Sequence, residues 1–370
     1  PASPAAGAVV GICDYANTFA TNNLTVDRNG SNIGGVAVNS TLSTNGVSIT
    51  FVYVDATQGW IVTDSGQRSE LPTPAYIAAT GGTISYSGDY KIHTFTGPGD
   101  FTVSSIGNPA GGPSVVDYMV VAGGGGSGIG GGGAGGAGGF RESHSTPVSG
   151  CYSASPLATP TGITISAATY PIIVGAGGAG KVYPSPPGVA GSGVNSVFST
   201  ITSSGGGGGS SQSGGAGSSG GSGGAGGAAT PGGGAGNTPP TSPSQGNSGG
   251  TGTGAVGGGG GGGAGASGAN ATPSSTGTGG NGVTTSITGS AVARAGGGGG
   301  GSDSPSIPGS AGGTGGGGTG GNRPDAYPGT GGSGTDNTGG GAGGTGEAAP
   351  PGTVRNGGSG IVVIRYKFQN

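Results

Sequence analysis

Two apolar runs fence most of the glycine in this chain, and that arrangement limits what it can fold into more than any other feature. The first run reads Val115-Val116-Asp117-Tyr118-Met119-Val120-Val121-Ala122 and passes directly into Gly123. The second is Gly360-Ile361-Val362-Val363-Ile364-Arg365-Tyr366-Lys367-Phe368. Of the 370 residues, 104 are glycine. Ordering a glycine costs roughly 0.5–1 kcal/mol more than ordering an alanine in regular structure. A long tract of it between two strands is therefore either a flexible spacer or a lattice in which nothing larger fits.

Charge separates these two readings. Charged residues make up 6% of the chain, and none lies between Lys181 and Arg294. Disordered segments ordinarily stay in solution through charge, so the lattice is favoured, with uncharged Gly/Ser linkers as the exception. At 30% hydrophobic and 5% aromatic residues, an ordinary apolar core is expected in about a third of the chain. The net charge of −3 and the lack of any Lys/Arg cluster exclude a nucleic-acid partner, whose phosphates need grouped cations. No run approaches the ~18 apolar residues of a membrane span, so no membrane insertion is expected. Pro1-Ala2-Ser3-Pro4-Ala5-Ala6 reads as a linker or a processed end. Cys13 and Cys151 carry no motif and are expected as two independent buried thiols rather than a disulfide. His93 and His144 stand far from each other and from both cysteines, so neither a metal site nor any other cofactor is expected.

The pattern predicts an all-β chain: a small N-terminal β module, then a β platform carrying a glycine-rich bundle. The module spans 1–66, with strands at 24–28, 41–43, 47–54 and 60–62 and turns at Asn29-Gly30 and Asn45-Gly46. So small a unit buries little surface alone, and a partner copy or the next domain is expected to cover one face. Residues 67–79, with Pro72 and Pro74, read as a linker. The glycine-rich domain spans 80–370, with platform strands near 83–122, 163–174, 194–201 and 360–368. In 90–95, Tyr90, Ile92 and Thr94 alternate with Lys91, His93 and Phe95. That alternation predicts one solvated face with His93 on it. The pieces at 163–174 and 194–201 are expected beside the opening and closing strands.

Within 123–359 the glycine spacing is irregular, including the unbroken run Gly257 to Gly263. Collagen, which needs glycine at every third residue, is excluded. A polyglycine II bundle remains: extended threefold helices without internal hydrogen bonds, whose N–H and C=O groups must be satisfied by neighbouring helices. Buried positions are then expected to be glycine, with Ala, Ser and Thr on outer helices. Proline-containing breaks at 231–244, Pro273, 303–308, 323–328 and 350–351 divide the tract into segments, as such rods require.

The strand motifs carry a resemblance. Thr80-Gly81-Gly82-Thr83, Tyr90-Lys91-Ile92-His93-Thr94-Phe95-Thr96-Gly97 and Asp117-Tyr118-Met119-Val120-Val121-Ala122-Gly123-Gly124-Gly125 resemble the glycine-rich module of tail-fibre proteins of marine cyanophage-like viruses. So do Gly138-Gly139-Phe140-Arg141-Glu142, Pro171-Ile172-Ile173-Val174-Gly175-Ala176-Gly177-Gly178 and Gly358-Ser359-Gly360-Ile361-Val362-Val363-Ile364-Arg365-Tyr366. The likeness spans about 78–370. Asn23-Leu24-Thr25-Val26-Asp27-Arg28-Asn29-Gly30 with Gly59-Trp60-Ile61-Val62 is similar to a small β module of virion fibres. The resemblance implies an extracellular virion appendage that attaches to a host-surface receptor, either a polysaccharide or an outer-membrane protein. It also implies other virion proteins as partners and a homo-oligomer, a trimer. Related tail-fibre adhesins meet their receptors through loops on polyglycine II sandwiches. Here the β module ahead of the glycine region departs from them.

Competing motifs do not hold. Gly175-Ala176-Gly177-Gly178-Ala179-Gly180-Lys181 has phosphate-loop spacing, but Val182 stands where a hydroxyl should hold Mg²⁺. The prolines that follow forbid the required helix. Gly331-Gly332-Ser333-Gly334-Thr335-Asp336 begins a calcium β-roll repeat but lacks further copies. The sequons at Asn23, Asn39 and Asn270 matter only in a glycosylating host. Only five of the 13 acidic residues lie beyond residue 122, and no carboxylate pair or nucleophile triad emerges, so no catalysis is expected. Aromatic and basic residues set among prolines are the candidate receptor contacts: Tyr152, Lys181 with Tyr183, and Arg323, Asp325 and Tyr327. The alternative is a purely structural capsid or neck decoration, or a subunit of an extracellular glycine-rich filament. Ice binding by a flat glycine face lacks the regular Thr or Ala pattern it would need.

Overall fold

The computed structural model describes residues 1, 3–67, 74–182, 185–229, 232–254, 256–323, 331–346, 352 and 354–369. They fall into two compact units, Pro1–Pro74 and Ala75–Asn370. Nearly all regular structure is β; the helix present is a single turn, Thr146–Ser149.

In the first unit, strands β1 (Val9–Cys13), β2 (Leu24–Val26), β3 (Ser40–Leu42), β4 (Val47–Asp55) and β5 (Gly59–Gln67) form two antiparallel groups. One is the sheet β1-β4-β5 and the other the pair β2-β3. Asn29 and Gly30 both take positive φ, 42° and 87°, in a tight turn closed by Ser31 N donating to Arg28 O at 2.9 Å within the long connection from β2 to β3. Leu42, Val47, Phe51 and Trp60 are buried, and Asp14 closes a turn by accepting backbone N–H bonds from Thr18, Phe19 and Gly46. Burial alone would raise the Asp14 pKa, but those donors outweigh it and hold the carboxyl below its ordinary value.

The second unit contributes β6 (Ala78–Thr80), β7 (Thr83–Ser87), β8 (Tyr90–Phe95), β9 (Gly99–Ser105), β10 (Val115–Val121), β11 (Phe140–Ser143) and β12 (Ala158–Thr159). It continues with β13 (Ile163–Thr164), β14 (Thr169–Ile173), β15 (Ser196–Phe198), β16 (Ile201–Ser203), β17 (Val283–Thr285), β18 (Val292–Arg294) and β19 (Ile361–Lys367). The fencing strands are direct neighbours: β10 and β19 pair antiparallel, with Met119 opposite Val363. They form the centre of the sheet β12-β11-β10-β19-β8-β7, with β13 also on β10. The second sheet runs β16-β15-β14-β9-β6. Residues 169–173 and 196–203 therefore build a separate sheet with β9, rather than flanking the fencing strands as the sequence suggested. Only Ile163–Thr164 joins β10.

Both faces of β10 and β19 are covered, which explains why they read as unbroken apolar runs. Val116, Tyr118, Val120, Val362, Ile364 and Tyr366 meet Phe101, Ile172 and Phe198 in a core between the sheets. On the opposite face Met119, Val121, Ile361 and Val363 meet Phe140, Ala137, Ala264, Val283 and Ile287. Ile77 and Ala79 belong to the first of these cores, so the stretch expected as a linker is already folded into the second unit there.

Double coverage also corrects the reading of His93, which is fully buried rather than solvated. Gly81 O, 2.7 Å from His93 Nδ1, only accepts, so Nδ1 donates and Nε2, at 3.0 Å, accepts from the Tyr366 hydroxyl. Desolvation holds this neutral imidazole's pKa down at about 4. Cys13 and Cys151 are free, but both are exposed rather than buried.

Glycine segments leave and re-enter these strands directly, and their hydrogen bonds repeat every three residues. Gly123 and Gly126 donate to Val194 and Gly191; Gly124 and Ser127 donate to Gly358 and Arg355; Gly125 and Gly128 donate to Gly136 and Gly133. The carbonyls of the same residues accept from three other segments: Gly206 and Gly209, Gly178 and Lys181, and Ala342 and Thr345. One segment thus has six neighbours, three antiparallel and three parallel, and no internal bond. Residues 258–263 repeat the scheme, with Gly258 and Gly261 donating to Gly301 and Gly298 at 2.9 Å each. Every backbone group must be paired once buried, and here other glycine segments supply the partners. The approach is closest where no side chain exists: a Cβ on Gly124 would lie 2.0 Å from Gly340 O.

The inner segments are not purely glycine, contrary to the expectation. Ala134, Ala225 and Ala342 are fully buried, as are Ser222 and Thr345. Their backbone bonds to the neighbouring segments persist: Ala134 N donates to Gly259 O at 3.3 Å, Ala137 N to Gly262 O at 2.9 Å and Ala225 N to Ala134 O at 2.8 Å.

Candidate recognition face

Each glycine segment has one end at the sheets and one end away from them. From Ala122 to Gly130 is eight residues, roughly 25 Å for an extended chain at ~3.1 Å per residue. At the far end Gly130 and Gly131 reverse the chain with φ of 67° and 62°. There turns from distant parts of the sequence meet. Gln212 N donates to Ile129 O at 3.0 Å, and Ala229 N donates to Gln212 O at 2.8 Å. The Gln212 side-chain amide Nε2 reaches Asp303 Oδ2 at 2.5 Å. Asp303 N donates to Val256 O at 2.7 Å, and Arg323 Nη1 donates to Asp303 O at 2.8 Å. Ser302 Oγ organises the proline-bounded turn by donating to Ile307 O at 2.5 Å while Ser304 N donates to it at 3.1 Å. Beside this knot lies a shallow cavity of about 220 Å³ at 129–130, 185, 187 and 211–213.

The sheet end is built differently. Asp117 Oδ1 accepts from Ser143 Oγ at 2.7 Å, and Oδ2 accepts from Ser145 N at 2.7 Å and Ser149 Oγ at 2.5 Å. Glu142 accepts from Thr285 Oγ1 at 2.5 Å and Ser155 N at 3.0 Å, and burial pushes its pKa up. Arg365 donates to Ser149 O at 2.8 Å and Ile287 O at 3.1 Å, with its guanidinium over the rings of Tyr90 and Tyr152. Burial lowers the pKa of both Arg365 and Arg294, with Glu142 opposing it at Arg294. Arg294 Nε is buried without a hydrogen-bond partner, whereas Asp117, Glu142 and Arg365 are held by the bonds above. They fasten the turns to β10, β11 and β19 and leave little chemistry for a ligand.

The candidate contacts divide accordingly. Tyr152 lies at the sheet end, half-buried, with its hydroxyl donating to Ser143 O at 3.1 Å and its ring 4.3 Å from that of His144. Desolvation raises its pKa. Lys181 lies toward the far end: its N–H donates to Ser127 O at 3.0 Å, and its amine lies 3.3 Å from where a Cβ on Gly188 would stand. Arg323 is at the far end, joined to Asp303. Tyr183, Asp325 and Tyr327 lie outside the described residues. Gln212 and Asp303 went unrecognised as site residues. The available signal was glutamine inside a glycine tract, since Gln245 also sits at a turn, with its side chain accepting from Ser204 N at 2.8 Å and donating to Pro239 O at 2.9 Å.

Among the described residues no group of three His, Cys, Asp or Glu side chains is placed to hold a metal ion. No helix among the described residues is long and apolar enough to cross a membrane. A family model described as a glycine-rich domain matches residues 96–367, from the turn before β9 to the last residue of β19. No curated protein matches the chain.

Proposed function

We infer, for a chain that belongs to the glycine-rich domain family, a non-enzymatic role as a virion appendage, tail-fibre-like, that attaches to a host surface through turns displayed on a stiff polyglycine II bundle. The observation that carries this reading is the three-residue hydrogen-bond repeat with six neighbours per segment, which is the packing that polyglycine II rods require. A bundle of this kind holds its far turns at a fixed distance from the sheets. Recognition surfaces gain affinity when their turns are ordered before contact. The braces among Ile129, Gln212, Asp303 and Arg323 supply that order here.

In this reading Lys181, Tyr183, Arg323, Asp325 and Tyr327 belong to the contact surface, and Tyr152 serves the sheet end. The partner is a host-surface polysaccharide or outer-membrane protein. The first unit serves attachment to other virion proteins or assembly into a trimer, and the assembled protein is extracellular, on the virion.

The test is binding of the labelled full chain to a panel of intact cyanobacterial cells, beside light scattering for self-assembly. Saturable binding to some strains, abolished by Tyr327→Ala with melting unchanged, supports attachment. Filament growth without binding to any strain overturns it in favour of a structural subunit.

A further inference from the structure

The cavity at the far turns has a chemistry of its own. Its walls are Ile129, Ser185, Pro187, Ser211, Gln212 and Ser213, with Gly130 at one edge. None of these lining side chains is charged, and the Asp303 carboxylate beside them is occupied in accepting from Gln212 Nε2. Three hydroxyls stand with one amide and two apolar surfaces; Ser185 Oγ donates to Val182 O and keeps acceptor capacity, and Ser211 Oγ accepts from Ile129 N and keeps its proton to donate. That is the complement of a molecule with several hydroxyls and an apolar C–H face.

The amide is also oriented. The Gln212 backbone is fixed on both sides by Ile129 O and Ala229 N, and Asp303 Oδ2 takes its Nε2 at 2.5 Å. An ionised carboxylate only accepts, so the nitrogen end must face Asp303 and the carbonyl oxygen must turn away. Gln212 Oε1 accordingly lies on the cavity side, 3.8 Å from where a Cβ on Gly130 would stand. Gly130, at φ 67°, supplies both the reversal and the open edge. Ser211 is held as well, its Oγ accepting from Ile129 N at 3.4 Å, while Ser213 is exposed.

At about 220 Å³ the cavity falls below the roughly 300–1,000 Å³ of sites that enclose drug-sized ligands. It has room for about one sugar ring. We propose that it binds a single uncharged pyranose residue of a surface polysaccharide, with Gln212 Oε1 and the serine hydroxyls as the hydrogen-bonding groups and Ile129 and Pro187 against the apolar face. This rests on the attachment reading and narrows its receptor from two classes to one. A protein receptor is the competing outcome.

The experiment uses the full chain and free glucose, galactose, mannose and N-acetylglucosamine, read by saturation-transfer NMR and titration. Glucuronate and glucosamine serve as charged counterparts. One neutral sugar is expected to bind saturably at about millimolar Kd and to weaken about tenfold in Gln212→Ala, the scale of one lost hydrogen bond. Ser213→Ala, at an exposed position that cannot disturb folding, is expected to weaken it severalfold. Absence of binding by every neutral sugar overturns the proposal. So does binding unchanged in both variants, or charged sugars bound as tightly as the neutral ones. Cell attachment measured on the same variants separates the two readings. Attachment that survives Gln212→Ala overturns the sugar site and leaves attachment standing, with a protein receptor. Sugar binding without attachment to any cell supports the site and overturns the attachment role.

Discussion

Replacing Gly261 with alanine adds one methyl group, and the structure fixes what that methyl must meet. A Cβ there would stand 2.0 Å from Gly135 O and 2.6 Å from Gly135 C. Unstrained C···O contacts begin near ~3.3 Å, so two backbones must separate by about 1.3 Å. The same shift pulls on Gly261 N to Gly298 O and Gly280 N to Gly261 O, both 2.9 Å. Buried groups left without partners cost about 1–3 kcal/mol each, and overpacking adds about 1–3 kcal/mol. Gly261→Ala is therefore expected to destabilise the second unit by about 5 kcal/mol, lowering its Tm by about 10 °C at ~2 °C per kcal/mol. Gly254→Ala is the control, because its Cβ would meet only Ala228 O, at 3.6 Å. It should stay within about 0.5 kcal/mol. Scanning calorimetry reads the second unit, and fluorescence of Trp60, the single tryptophan, follows the first separately. A flexible tether predicts the opposite sign: Gly→Ala is neutral or stabilising by up to about 1 kcal/mol through the unfolded chain. Equal melting of Gly261→Ala and the parent protein would refute the reasoning.

Two further perturbations test the sheet end. His93, held neutral with a pKa of about 4, gains a proton in the unfolded chain at about pH 6.5. Its contribution is present above pH 6.5 and fades as pH falls toward 4, about 3 kcal/mol in all. His93→Gln should flatten that part of the stability curve. Glu142, pushed up by burial, titrates in the opposite sense, so the comparison with the parent isolates His93; an unchanged slope would remove it as the cause. Glu142→Ala, which strips an acceptor from Thr285 and Ser155 and a countercharge from Arg294, should cost about 3 kcal/mol in denaturant unfolding. A loss below about 0.5 kcal/mol would show that the cluster does not hold the turns.

The β10 and β19 pairing was legible because a strand buried on both faces reads as a continuous apolar run, and these two are apolar on both. The turns at Asn29-Gly30 and Asn45-Gly46 were legible because those residues encode a reversal locally, but neither is a tight hairpin loop: the first lies within the connection from β2 to β3, and the second links β3 to β4, which belong to different sheets. Strands β11, β17 and β18 were not, since Phe140–Ser143, Val283–Thr285 and Val292–Arg294 are too short to show a period. Their conformation comes from packing on the central sheet. The face of β8 that carries His93 and Phe95 packs against Phe101 of the second sheet, so an alternation that reads as half-solvated hides a buried histidine. At the far turns, Lys181 and Arg323 stood out as charges among prolines. Gln212 did not, because its meaning lies in Asp303, 91 residues away. The buried alanines show the same limit: which inner positions have room for a methyl is decided by the whole lattice.

The central claim is that the glycine tract is an ordered, hydrogen-bonded lattice, and amide hydrogen exchange reads it directly. Glycines 123–128 and 258–263 each donate to a named carbonyl, apart from Ser127, which does the same. Their exchange should be slowed to the level of β10 and β19, since opening any one of them requires opening the unit. Exchange at the rate of an unstructured chain in these residues, with β10 and β19 still protected, would contradict the account.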